Sequence, residues 1–243
     1  MRRIHKNQLH FVDRVELLRR SRAVSTKSEA EIEWKKFRRS SKSNPIIAAL
    51  QNSVGPRQRC VYCCDSRSAD VDHFIPVAKN YRLTFTWSNL LWVCPECNRR
   101  KNAKFPVNAA GEPLVLNPEA VDPWNHFILD TANGLIGPRY LESDFDAIGE
   151  ATLEILECIN YEAVTEGRKR VIRRYHEALD HVLSSKCAEQ AMRAVAREIN
   201  EDDFGLSAWF ALHEGAEEEP FLEFKKRLPR QWRAFLRLSA KHI

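Results

Sequence analysis

The sequence predicts an α+β chain in which a small ββα unit, pinned by four cysteines, is embedded in mainly α-helical sequence. Three observations lead there. Two C-x-x-C pairs, Cys60-Val61-Tyr62-Cys63 and Cys94-Pro95-Glu96-Cys97, stand about 30 residues apart. Between them lie two short apolar stretches with strand character, ADVDHFIP and NLLWVC, and the segment after Cys97, NRRKNAK, reads as a helix that ends before Pro106. From about residue 146 onward the apolar residues recur at helical spacing, as in Val164, Val171, Ile172, Tyr175, Leu179 and Leu183.

Taken in order, residues 1–54 form a basic helical arm. Within it, SEAEIEWKKFRRS reads as a helix, capped by Ser28 with Glu31 closing a capping box, and Asn44-Pro45 turns the chain into a second short helix. Gly55-Pro56 breaks the chain before the ββα core at 55–108. Residues 109–145 are an extension, first rich in Pro, Gly and Asn, then a β-hairpin of HFILD and LIGPRY around TANG. Residues 146–243 are helical.

Of the 243 residues 44% are hydrophobic, enough for a sizeable core. No run approaches the roughly 18 apolar residues of a membrane helix, and the start MRRIHKNQLHF has no apolar stretch like that of a signal peptide, so the expected compartment is the cytoplasm. The net charge of +5 conceals an asymmetry: residues 1–110 hold 22 Lys and Arg against 9 Asp and Glu, residues 111–243 hold 16 against 24. A basic first half suits a polyanionic partner, and the acidic second half suits packing or protein contact.

Seven cysteines, an odd number, argue against a disulfide framework. Two C-x-x-C turns present four thiolates to one ion and close a tetrahedral shell, which makes Cys60, Cys63, Cys94 and Cys97 the ligands of a structural zinc. Cys64 is an alternative ligand with poorer spacing; it, Cys158 and Cys187 are otherwise expected as small buried apolar residues. Of the histidines, His126 is expected to pack where a strand opens, and Tyr81, Phe85, Trp87 and Trp92 to form core around the ββα unit.

The order C-x-x-C, Asp72-His73, Asn89-Leu90, then C-x-x-C followed by Asn98 and a basic tail resembles the HNH endonuclease family, over about residues 58–106. Phosphodiester hydrolysis needs a base for water and a cation to neutralise developing charge. His73 suits the base; Asp72 and Asn98 offer oxygens to a catalytic Mg²⁺ or Mn²⁺. Family resemblance implies that Asn89 hydrogen-bonds near the histidine and fixes it. Where many members carry a third histidine this chain has Asn98, an HNN pattern compatible with Mg²⁺. Arg99, Arg100, Lys101 and Lys104 are expected to bind phosphates.

The basic start, a D-P-W-x-H-F segment, the hairpin and a tail carrying Arg168, Arg170 and Arg173 look like the HNH nucleases of prokaryotic anti-phage systems, Septu-type and retron-associated. That resemblance implies cleavage of DNA and an ATPase partner of the ABC/SMC type contacting the acidic half, with self-association left open. The competing readings are a non-catalytic zinc module that docks nucleic acid, and a nuclease acting on RNA.

Overall fold

The computed structural model describes residues 1–64 and 68–240. Its elements run α1 (Phe11–Arg22), α2 (Lys27–Arg38), α3 (Asn44–Ser53), β1 (Asp70–His73), β2 (Leu90–Val93) and α4 (Pro95–Lys101), then β3 (Phe127–Asp130), β4 (Leu135–Pro138), β5 (Tyr140–Leu141) and β6 (Asp144–Phe145). The helices α5 (Ala147–Ile155), α6 (Glu162–Ser184), α7 (Ala188–Asn200), α8 (Leu206–Leu212), α9 (Phe221–Arg227) and α10 (Pro229–Ser239) complete the described chain. This is the mixed, mostly helical architecture that the sequence predicts.

The cap of α2 differs from expectation. Thr26, not Ser28, accepts the Glu29 amide, and Glu29 returns a carboxylate oxygen to the Ser25 amide at 2.8 Å. Both Thr26-x-x-Glu29 and Ser28-x-x-Glu31 satisfy the capping pattern, and the chain uses the earlier one, which starts the helix two residues sooner.

β1 and β2 pair antiparallel with Asp72 opposite Leu91 and His73 opposite Leu90. All four residues of β2 are buried, as a continuous apolar run requires. Because side chains alternate along a strand, Asp70 and Asp72 share one face of β1, and Val71 and His73 the other. The last turn of α4 returns along β1, which completes the ββα unit.

The N-terminal arm is drawn into the body of the protein. Ile4 donates its amide to Pro118 O, and Lys6 Nζ, with no side-chain exposure, reaches Trp87 O, Leu90 O and Glu119. One buried apolar set continues from Met1 and Ile4 through β2 to Phe221 and Phe235, so the arm, the ββα unit, the hairpin and the helical half share a core. In the helical half Tyr175, Phe210, Phe221 and Phe235 meet ring to ring, with Phe210 stacked on Phe221 at 4.1 Å.

The hairpin is locked to α6 by two features. Arg168, fully buried, donates to Gly134 O at 2.5 Å, Ile159 O at 2.9 Å and Asn160 Oδ1 at 2.9 Å, and burial pushes its guanidinium down to about 10. It is a structural crosslink, not a surface cation. Gly134 adopts φ +69°, and a Cβ there would lie 2.5 Å from Thr165 O. Gly134→Ala is therefore expected to destabilise the fold by about 2 kcal/mol or more, combining left-handed strain with a backbone collision. A denaturant midpoint equal to that of the parent chain would contradict this.

Candidate nuclease site and cysteine cluster

The two C-x-x-C turns converge. The ligand atoms of Cys60, Cys63, Cys94 and Cys97, all buried, lie within 4.8 Å of one another. Cys63 Sγ and Cys94 Sγ are 3.9 Å apart, close to the roughly 3.8 Å edge of a tetrahedron with ~2.3 Å metal–sulfur bonds. The donor set therefore fits a zinc-sized ion. The second turn opens α4: Cys94 is its N-cap, with Sγ facing the Cys97 amide at 3.4 Å, and Pro95 takes the first helical position, where its missing N–H is no loss. The first turn closes through Cys64, at φ +62°, whose amide donates to Cys60 O. Burial holds the Cys60 thiol well above its usual range, which a thiolate-binding cation would reverse.

The three remaining cysteines divide. Cys64 is buried but stands apart from the four-sulfur group, and Cys158 is buried with its sulfur 3.1 Å from that of Cys97. Cys187 is exposed, contrary to the expectation of a buried residue, because it lies just before α7 where the chain runs over the surface.

Beside the cysteines, Asp70, Asp72, His73 and Asn98 line one cleft. His73 is 9% exposed, and its Nε2 donates to Thr84 O at 3.0 Å. A carbonyl only accepts, so the proton sits on Nε2 and Nδ1 keeps the lone pair. Burial lowers the imidazole pKa to about 4, so His73 is neutral near pH 7. Among the described residues, Asn89 directs its side-chain hydrogen bonds to the loop and not to the ring. Its Oδ1 accepts the Ile75 amide at 2.7 Å, and its Nδ2 donates to Ile75 O and Leu83 O, which closes the loop carrying Thr84 around the imidazole.

Asp72 is held from two sides. Tyr62, from the first C-x-x-C turn, donates its hydroxyl to Asp72 Oδ2 at 2.7 Å; Lys101, from the last turn of α4, reaches Oδ2 at 3.0 Å and Oδ1 at 3.2 Å. Burial pushes the Asp72 carboxyl up and the Lys101 ammonium down, and their contact opposes both shifts. Lys101 spends its remaining donor on His73 O at 2.8 Å. Its side chain has no exposure, so it is removed from the expected phosphate-binding face: the register of α4 turns it inward, toward β1. Asn98, half-buried one turn earlier, donates Nδ2 to Asp70 Oδ2 at 2.9 Å.

Of the other basic residues, Arg99 is exposed and pairs with Glu96, and Arg100 pairs with Glu96 and Glu157 while lying 5.3 Å from the Tyr161 ring. Lys104 is exposed beside them.

Asp70, Tyr62 and Trp34 escaped the motif reading. Strand alternation alone puts Asp70 on the face of Asp72, and that signal was present in Asp70-Val71-Asp72. Trp34 belongs to α2 and meets the His73 ring edge-on at 4.6 Å; its approach depends on tertiary packing against Phe37 and Phe85.

Residues 59–104 match the family model described as HNH endonuclease. A curated relative described as Septu protein PtuB, from Bacillus thuringiensis, is 30% identical over 115 residues, 45% of this chain and 39% of that protein. The chain thus aligns with well under half the length of this relative. Among the described residues, no helix is long and apolar enough to cross a membrane. The β1–β2–α4 unit and its two cysteine knuckles, with Asp72 and His73 between them, lie within residues 59–104, the segment similar to the HNH endonuclease model.

Proposed function

We propose that this chain is a metal-dependent endonuclease that hydrolyses phosphodiester bonds of DNA, acting as the effector of an anti-phage defence complex. The observation that carries the reading is that His73, its Nε2 donating to Thr84 O, lines one cleft with Asp70, Asp72 and Asn98. A neutral, oriented imidazole is equipped to take a proton from water as it attacks phosphorus. Asp72 and Asn98 Oδ1 would hold a catalytic Mg²⁺ or Mn²⁺, with Asp70 as a further carboxylate at the same edge. That ion, when bound, stabilises charge on the phosphate and the leaving oxygen. Tyr62 and Lys101 keep Asp72 in place, and Asn89 and Thr84 keep His73 in place. Cys60, Cys63, Cys94 and Cys97 hold a structural zinc, a closed shell without an open position for chemistry.

The defence context rests on the Septu relative, and an ATPase partner on the resemblance read from the sequence and on the acidic character of residues 111–243. Purified chain, alone and with an ATPase encoded beside it, is expected to nick supercoiled plasmid DNA with Mg²⁺ or Mn²⁺ and to stop when EDTA is added. Cleavage that persists in EDTA, or intact DNA under every pairing of ion and partner, would defeat the proposal.

A further inference from the structure

Helix α2 lies outside the matched HNH segment, yet one of its faces closes the catalytic cleft. Glu31, Trp34 and Lys35 line that cleft, and Arg38 continues the same stripe one turn beyond Trp34, at the i, i+3/i+4, i+7 spacing of a single helix face. The face is anchored: Trp34, Phe37 and Phe85 form a three-ring cluster with centroid separations of 5.6–5.8 Å. Phe85 follows Thr84, whose carbonyl holds His73, so α2 is registered to the imidazole itself.

Arg38 is the residue on this face left without an explanation. It is half-buried, close enough to Asp70 to feel that charge and close enough to His73 for its own charge to disfavour the protonated ring. Its Nη1 is enclosed and has no hydrogen-bond partner among the described residues, and no carboxylate there forms an ion pair with it. Asp70, the neighbouring acid, already accepts from Asn98. An enclosed guanidinium nitrogen without an acceptor is costly unless an incoming group supplies one. Arg38 does not itself line the cleft, but Glu31, Trp34 and Lys35 of the same helix face do, and a phosphate oxygen of a strand held there is such a group, which the planar guanidinium fork matches.

We propose that Arg38 is a substrate-binding residue at the edge of the cleft, engaging a backbone phosphate of the nucleic-acid strand beyond the bond to be cut. This rests on the nuclease reading of the cleft but goes beyond the HNH segment, since it makes α2 part of the substrate channel. Trp34, in edge contact with the His73 ring, stands on the same helix face one turn before Arg38.

The test measures binding, not turnover. In full-length protein carrying His73→Ala, with Ca²⁺ in place of Mg²⁺, affinity for a short labelled DNA duplex is recorded across a salt series. Arg38→Met keeps the aliphatic stem and removes the charge. It is expected to reduce the slope of log affinity against log salt by about 0.9, the value for one lost contact to duplex phosphate, with metal content and melting midpoint unchanged. Arg38→Lys should restore the slope while binding less tightly, because an ammonium pairs with phosphate at a point. An unchanged slope in Arg38→Met, or a slope that falls only together with loss of metal or melting, would overturn the proposal, as would the absence of binding by the Arg38 form at low salt. The nuclease reading is judged separately, by cleavage with His73 present and absent.

Discussion

Replacing His73 by alanine is expected to lower cleavage by about 10²–10⁴-fold, the span that a positioned general base contributes, while the protein stays folded and keeps its metal. The geometry separates the two outcomes. His73 lines the cleft, bonded to Thr84 O and in edge contact with Trp34, and it is no part of the four-cysteine cluster. Removal of the ring leaves a small gap under Trp34 and an unpaired Thr84 carbonyl beside a solvent-accessible cleft, a modest loss of about 1–2 kcal/mol. Single-turnover cleavage and thermal melting, measured on the same preparation, check both halves. Undiminished cleavage would remove His73 from the chemistry; collapse of the fold would make it a structural residue.

Cys60→Ser should show the opposite pattern. Structural zinc sites in small peptides release about 10–16 kcal/mol of apparent binding free energy on folding, more than a typical domain has to spare. Cys60 is fully buried, and a serine hydroxyl is a poor replacement for a thiolate. The damage is expected to spread, because Tyr62 on the same turn holds Asp72, and Cys97 at the start of α4 fixes the helix that carries Asn98 and Lys101. The expected results are loss of bound metal, loss of cooperative melting and loss of cleavage together. Cys187→Ser, at an exposed position, serves as the control and should change none of them. One metal per chain retained by Cys60→Ser would exclude that cysteine as a ligand.

The two variants also show which links the ββα unit depends on. The cysteines organise the turns, and the turns present Tyr62 and α4 to β1. The Asp72 carboxylate is thus reached from the cysteine cluster through one hydroxyl, Tyr62 Oη, and from α4 through one ammonium, Lys101 Nζ. Neither contact resembles a motif, since each is defined by a distance and not by spacing along the chain.

Sequence alone determined what local rules govern. C-x-x-C spacing, strand alternation and helical periodicity are properties of a few consecutive residues, so the cysteine cluster, β1, β2, α4, the hairpin and α6 were all legible, as was the resemblance carried by Asp72, His73, Asn89 and Asn98. The tertiary structure decided what depends on contacts between distant segments. It used Thr26 and not Ser28 as the cap of α2, a choice between two patterns that satisfy the same local rule. It turned Lys101 from an apparent surface cation into the buried partner of Asp72, and Arg168 into a crosslink, because helix register against a neighbour, not charge, determines which face is interior. It drew the basic arm into the core and set Trp34 against His73 across 39 residues of sequence. A motif can specify the groups that do chemistry; the walls that orient them and meet a substrate come from chain segments brought together only when the whole apolar set is buried at once.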